Sequence, residues 1–167
     1  MAAAISRQAA TKTLRLPRAA TGDANLARAA VGDIFHASAS NGASLLCLTM
    51  AVTDQVIRAR NVATQIIYDF DRRTGRATWY VFGTPYECLI DSVAPLPPDI
   101  HEIMLSLDRR GREAEYRNAE DPNRPWKPGD NPLTAEQRRG LLFVADFYRA
   151  HPLQPPEEAG AGANQMG

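Results

Sequence analysis

The residues of this chain that could do chemistry are few and scattered. Its three histidines, His36, His101 and His151, form no H-E-x-x-H or H-x-H pattern, and neither cysteine stands at ligand spacing from them. The local spacing that a zinc site uses is therefore missing, and no metal ion or cofactor is expected. No serine lies in G-x-S-x-G, and neither Cys47 nor Cys88 has a basic sequence neighbour to lower its pKa. Asp69 and Asp71 are two apart, so a strand would point both to one side, where paired carboxylates serve acid–base work or hold a hard cation. The plainer reading is that Asp71 opens a turn and caps its amides while Asp69 faces solvent. His36 falls in an alternating segment, as a face residue at a barrel mouth or a half-buried core histidine. A small hydrolase with its site near His36 and Asp69 is one reading of these groups.

The most suggestive cluster is basic. Arg58 and Arg60 share a strand face, and Arg72, Arg73 and Arg76 gather in and after a hairpin loop. If the two strands are neighbours, the five would form one patch beside Tyr80 or Trp79. Small barrels bind single-stranded nucleic acid with such a groove and stacking aromatics. Asp54, Asp69 and Asp71 stand close enough in sequence to neutralise the patch. Trp126, in Asn-Arg-Pro-Trp-Lys-Pro, is either an anchor for an irregular segment or a contact for a partner.

Composition limits what these residues can serve. The chain has 167 residues, with 19 basic and 19 acidic side chains and a net charge of zero, so no global field draws it to nucleic acid or an anionic surface. The length suits one domain with a core that needs no metal or disulfide staple. Lys12 and Lys127 are its only lysines, and that arginine bias with abundant alanine reads as genome composition rather than a bidentate site. Cys47 and Cys88 both lie in apolar, strand-like contexts, where a thiol packs as a small hydrophobe and a reducing compartment is the simpler inference. No apolar run approaches the roughly 18–20 residues of a membrane span. Residues 1–22 carry four bases and no acid, which reads as a disordered leader or, in the alternative, an organelle transit peptide.

The elements that must position these groups are clearest between residues 31 and 93. Residues 23–30 suit a short helix capped by Asp23. Strands are expected over 32–38, 43–52, 55–61, 63–71, 76–82 and 88–93, with 55–71 as one long strand or two joined by a bulge. Asn41-Gly42 signals a two-residue hairpin, 53–55 a tight turn, 71–75 a type I turn ending in a left-handed glycine, and 83–86 a further turn. Pro95, Pro97 and Pro98 end the ladder.

Beyond the prolines, Asp99 and Glu102 read as a capping box before a stripe of Ile100, Ile103, Met104 and Leu107, with Gly111 as the stop. A hairpin over 102–117 is the rival, because Asp108-Arg-Arg-Gly echoes the turn at 71–75. Residues 120–132, with four prolines, form an irregular connection. Thr134 to Gln137 is a capping box for a second helix that places Leu141, Leu142, Ala145 and Tyr148 on one face and ends before Pro152.

The expected fold is therefore mainly β with an α extension (α+β). It is a five- or six-stranded antiparallel SH3-like barrel, or a curled sheet, followed by two helices. Residues 1–22 are leader, 23–151 the domain and 152–167 a disordered tail. The expected function is a cytoplasmic, non-enzymatic binding or adaptor module that meets a protein partner or itself and no membrane. The alternatives are a nucleic-acid-binding barrel using Arg58, Arg60, Arg72, Arg73, Arg76 and Tyr80, and the small hydrolase.

Overall fold

The computed structural model describes residues 24–121, 123 and 132–153. Along the chain run α1 (Ala24–Ala27), β1 (Ile34–Ala39), β2 (Ser44–Val52), β3 (Val56–Asn61), β4 (Ile67–Asp71), β5 (Arg76–Val81), β6 (Thr84–Ser92), α2 (Pro98–Glu120) and α3 (Ala135–Ala150). All strand pairs are antiparallel, in the order β4-β3-β2-β1-β6-β5. The outer strands β4 and β5 return against each other, with the Tyr68 and Trp79 rings 6.0 Å apart. The sheet is thus a nearly closed barrel, and closure leaves little unpaired strand edge. A six-stranded antiparallel barrel followed by two helices is the α+β architecture expected from the sequence.

Local chemistry sets the turns. Asp71 Oδ1 accepts the amides of Arg73 and Thr74 at 2.8 and 2.9 Å, and Gly75 takes φ 70° to close the β4–β5 turn. The turn at Asn41-Gly42 is longer than expected. Only Gly42 there takes a positive φ, and Ala39 N–H reaches the Ala43 carbonyl at 2.9 Å. It is a turn ending in a left-handed glycine, the next commonest way to join a hairpin.

The segment read as one long strand, or two joined by a bulge, is instead a β3–β4 hairpin. Asn61 Oδ1 caps the amides of Ala63 and Thr64, and Gln65 takes φ 63°. Likewise β6 begins at Thr84, because Phe82 and Gly83 (φ 48° and 78°) make the whole turn.

Alternation along the strands separates two apolar cores. Inside the barrel lie Phe35, Cys47, Ile57, Phe70, Cys88 and Ile90, with Phe35 and Phe70 edge to face at 5.3 Å. Leu26 of α1 packs into this core, and Arg72 holds α1 there by donating to the carbonyls of Leu26, Ala27 and Thr53. Both thiols are free and buried, and burial pushes both pKa values up. They are packing groups, as the sequence suggested.

The second core is outside the barrel, where Ile34, Leu46, Leu48 and Val62 meet Ile103, Met104 and Leu107 of α2 and Val144 and Tyr148 of α3. This layer is why β2 is apolar on both faces.

The two helices depart from expectation in instructive ways. Residues 102–117 are helical, so the hairpin rival is excluded. The helix starts at Pro98 with Pro97 as cap and no side-chain cap bond, so Asp99 is a first-turn residue rather than the cap. It also runs straight through Gly111. A Cβ there would stand 2.6 Å from Gln65 Nε2, so this glycine serves close approach of helix and barrel rather than termination. In α3 the Thr134 capping box forms as expected. The buried face is Gly140, Val144 and Tyr148, which turns Leu142 out to solvent. Gly140 is again a contact point, since a Cβ would meet Ile103 Cγ2 at 2.7 Å.

The leader at 1–22 and Trp126 lie outside the described residues, as does the chain from 154 on. Leu153, assigned to the tail, donates its amide to the Asp91 carbonyl at 2.6 Å and so fastens the end of α3 to β6. No helix among the described residues is long and apolar enough to cross a membrane.

Candidate functional site

The outward face of β1 carries Ile34, His36 and Ser38, because Phe35, Ala37 and Ala39 face the barrel interior. The hairpin register pairs Ser38 with Ser44 and His36 with Leu46, so Ser44 lies diagonally across from His36 on the same face. On the other side, β6 pairs His36 with Ser92 but Ala37 with Ile90. Asp91 is therefore the extra residue of a β-bulge. Such bulges re-aim a side chain, here an aspartate turned onto the outer face of β1.

These three strands assemble a polar chain. His36 Nδ1 lies 2.5 Å from Asp91 Oδ1, and His36 Nε2 is in hydrogen-bond contact with Ser44 Oγ. The Ser38 hydroxyl donates to the second Asp91 oxygen. In the neutral imidazole with its proton on Nδ1 toward the carboxylate, the Nε2 lone pair would face the Ser44 hydroxyl. That is the order of contacts, hydroxyl to Nε2 and Nδ1 to carboxylate, that activates a serine in unrelated hydrolases.

Helix α3 roofs the site. The Tyr148 ring lies 5.6 Å from the His36 ring, and its hydroxyl donates to the Ile34 carbonyl at 3.3 Å. Burial raises the Tyr148 pKa, with Cys47 and Asp91 adding to it, so the phenol stays protonated and acts as a donor. Ser92 Oγ donates to the His151 carbonyl at 2.6 Å, pinning the end of α3 beside the bulge.

Under this roof is a cavity of about 340 Å³ with His36 and Ser44 in its wall. Leu46, Val62, Leu107, Leu141 and Val144 make most of the rest apolar, while Asn61, Thr64 and Arg110 contribute polar groups. A second cavity, of about 300 Å³, has His36, Ser44 and Asp91 in its wall and Arg149 beside them. Ser44 thus stands where the two meet.

The residues singled out from sequence are distributed differently. Asp69 does not join His36. It receives a two-pronged bond from Arg58, at 2.7 and 2.9 Å, which holds its pKa below the usual carboxylate range. The carboxylate beside His36 is Asp91 instead, because β1 pairs with β6 and β4 lies three strands away. Asp71 caps its turn. The Thr74 amide is the main reason its pKa is lowered, and Arg73 adds its charge.

Arg60 points the same way as Arg58 but meets Asp108 of α2 through two bonds of 2.8 Å. Arg76 faces Glu87 at 3.4 Å, and Arg72 is spent on backbone carbonyls. Tyr80 is exposed on β5. Arg58, Arg60, Arg72 and Arg76 therefore occupy separate ion pairs and clamps, while Arg73 adds its charge beside Asp71. Among the described residues no group of three or more histidine, cysteine or acidic side chains could hold a metal ion.

Of the candidate site, only His36 was singled out from the sequence. The two-residue turn expected at Asn41-Gly42 would put Ser44 on the opposite face, and it is the longer turn, pairing Ser38 with Ser44, that brings Ser44 beside His36. Asp91 had no sequence signal, because its place depends on long-range pairing of β1 with β6 and on the bulge. Compared with known proteins, the chain matches no family model, no curated protein and no solved structure.

Proposed function

We propose that this protein is a binding module whose ligand is a small molecule with an apolar chain and an oxygen-bearing head group. The observation that carries this reading is the cavity between the outer barrel face and α3. Its volume of about 340 Å³ lies at the lower end of the roughly 300–1,000 Å³ of small-molecule sites, and it combines apolar walls with a few convergent polar groups. The chain would lie against Leu46, Leu141 and Val144, and the head group would meet His36 and Ser44. Titration of the full-length chain with octanoate and octanol, followed by ligand-observed NMR, tests it. Saturable binding that Leu141→Trp abolishes supports the reading. Binding that survives the filled cavity, or no binding to the wild-type chain, ends it.

A second reading keeps the adaptor role expected from the sequence, with a second copy of the chain as partner. It is favoured by the β5–β6 hairpin tip, where Phe82 is fully exposed (104%) on left-handed backbone and Tyr80 is exposed nearby. Positive φ costs a bulky residue strain that persists where another interaction uses it. Light scattering would then show wild-type dimers and monomeric Phe82→Ser; a monomeric wild type removes this reading. Nucleic-acid binding through Arg58, Arg60, Arg72, Arg73, Arg76 and Tyr80 has less support, since Arg58, Arg60 and Arg76 face carboxylates and Arg72 is bonded to carbonyls.

A further inference from the structure

We infer that Ser44, His36 and Asp91 make the cavity a hydrolytic site for esters of apolar carboxylic acids. The inference rests on the ligand-binding reading and deepens it, since the bound acyl chain becomes that of a substrate. Three independent features of the fold converge on it. The β1–β2 register brings Ser44 to His36 Nε2, the β6 bulge brings Asp91 to Nδ1, and α3 covers the ring while leaving Ser44 exposed at the mouth. A serine placed only for stability gains nothing from standing at the junction of two cavities. One of these is mostly apolar, with Arg110 also in its wall, and suits an acyl chain; the other holds Arg149 and Asp91 and suits a polar alcohol portion.

The chemistry balances with water as the only co-reactant. The Ser44 hydroxyl proton passes to His36 Nε2 as Oγ bonds to the ester carbonyl carbon. The carbon–oxygen bond to the alcohol then breaks, and the alcohol leaves with that proton. Water next attacks the acyl-serine and gives a proton to Nε2. The acyl–Oγ bond breaks, Ser44 regains its proton, and the free acid departs. His36 and Ser44 are the catalytic residues. Asp91 is a positioning residue that fixes the imidazole tautomer and faces the charge formed on the ring. Ser38 and Tyr148 hold Asp91 and the ring in place.

The experiment uses the full-length protein with p-nitrophenyl acetate, butyrate, octanoate and laurate, and a fluorophosphonate probe read by mass spectrometry. The expected result is a probe adduct on Ser44 and hydrolysis that peaks at butyrate or octanoate. Ser44→Ala should lose the adduct and at least about a hundredfold in kcat. Asp91→Asn should lower kcat by at least about tenfold with KM held, a split that mere loosening of the fold would not give. Folding of each variant is checked by thermal melting, and Ser44 is exposed enough for alanine to be tolerated. Octanoate binding without an adduct, or turnover unchanged in Ser44→Ala, overturns the hydrolytic inference and leaves the binding reading standing. Absence of octanoate binding together with absence of an adduct overturns both.

Discussion

Arg58 and Arg60 stand two residues apart on the same face of β3, yet they live in different solvents. Arg58 pairs with Asp69 in the open, with side chains 54% and 49% exposed. Arg60 pairs with Asp108 beneath α2, at 16% and 1%. Exposed pairs contribute little because water and salt screen them and both side chains lose freedom. A buried pair is different: its formation costs desolvation, but removal of one partner strands the other charge. Asp108 also accepts from Gln65 at 3.1 Å and from Arg112 at 3.1 Å, so it ties the β3–β4 hairpin to the helix. The same contrast separates the uncovered face of β3 and β4 from the roofed face of β1, β2 and β6.

The sharpest test of that contrast is to delete the acid from each pair. Asp108→Ala should destabilise the protein by about 3 kcal/mol, the scale for stranding one partner of a buried pair. Asp69→Ala should leave the denaturation midpoint unchanged. Equal effects in urea melts would erase the distinction between the two arginines.

A smaller loss is expected where the covering helices touch. Gly140→Val would push a side chain into Ile103 and Met104 and cost about 2 kcal/mol, typical of overpacking. If the midpoint does not move, the helices pack more loosely than the 2.7 Å approach implies.

Acid should act on the buried pair in the same direction. Burial opposes the Asp108 carboxylate, but the bonds from Arg60 and Gln65 and the charges of Arg60 and Arg112 outweigh it and hold its pKa below the usual value. A group with a depressed folded pKa contributes stability that is present above its unfolded value, about 3.9, and lost as pH falls toward the folded one. Between about pH 6 and about pH 3 the wild type should therefore lose more stability than Asp108→Ala. Parallel pH profiles would show that the pair is not what acid breaks. The smallest effect belongs to Arg58→Ala, whose thermal midpoint should match wild type at low and high salt alike.

Much of the barrel was readable along the chain because its signals are local. Asp71 and Gly75 carry their turn in their own side-chain and backbone chemistry, and Ile57, Tyr68 and Phe70 alternate with outward residues that a one-residue slip would bury. Thr134 and Gln137 likewise announce α3 from within four residues. Where local signals misled, a distant contact had overridden them. Gly111 looks like a helix stop, but Gln65 needs its bare Cα, and Leu142 looks like a face residue until Gly140 turns that face toward Ile103.

The sequence by itself determined the course of most strands, most of the turns and the two helices. Each of these rests on residues within about ten positions of one another. Tertiary structure alone decided that Asp91, rather than Asp69, faces His36, that Arg60 is buried while Arg58 is not, and that α3 roofs a cavity over Ser44. Those outcomes depend on which strands become neighbours and where a bulge falls. Such pairings are chosen by burial of the whole apolar set across the barrel, and no single segment carries that information.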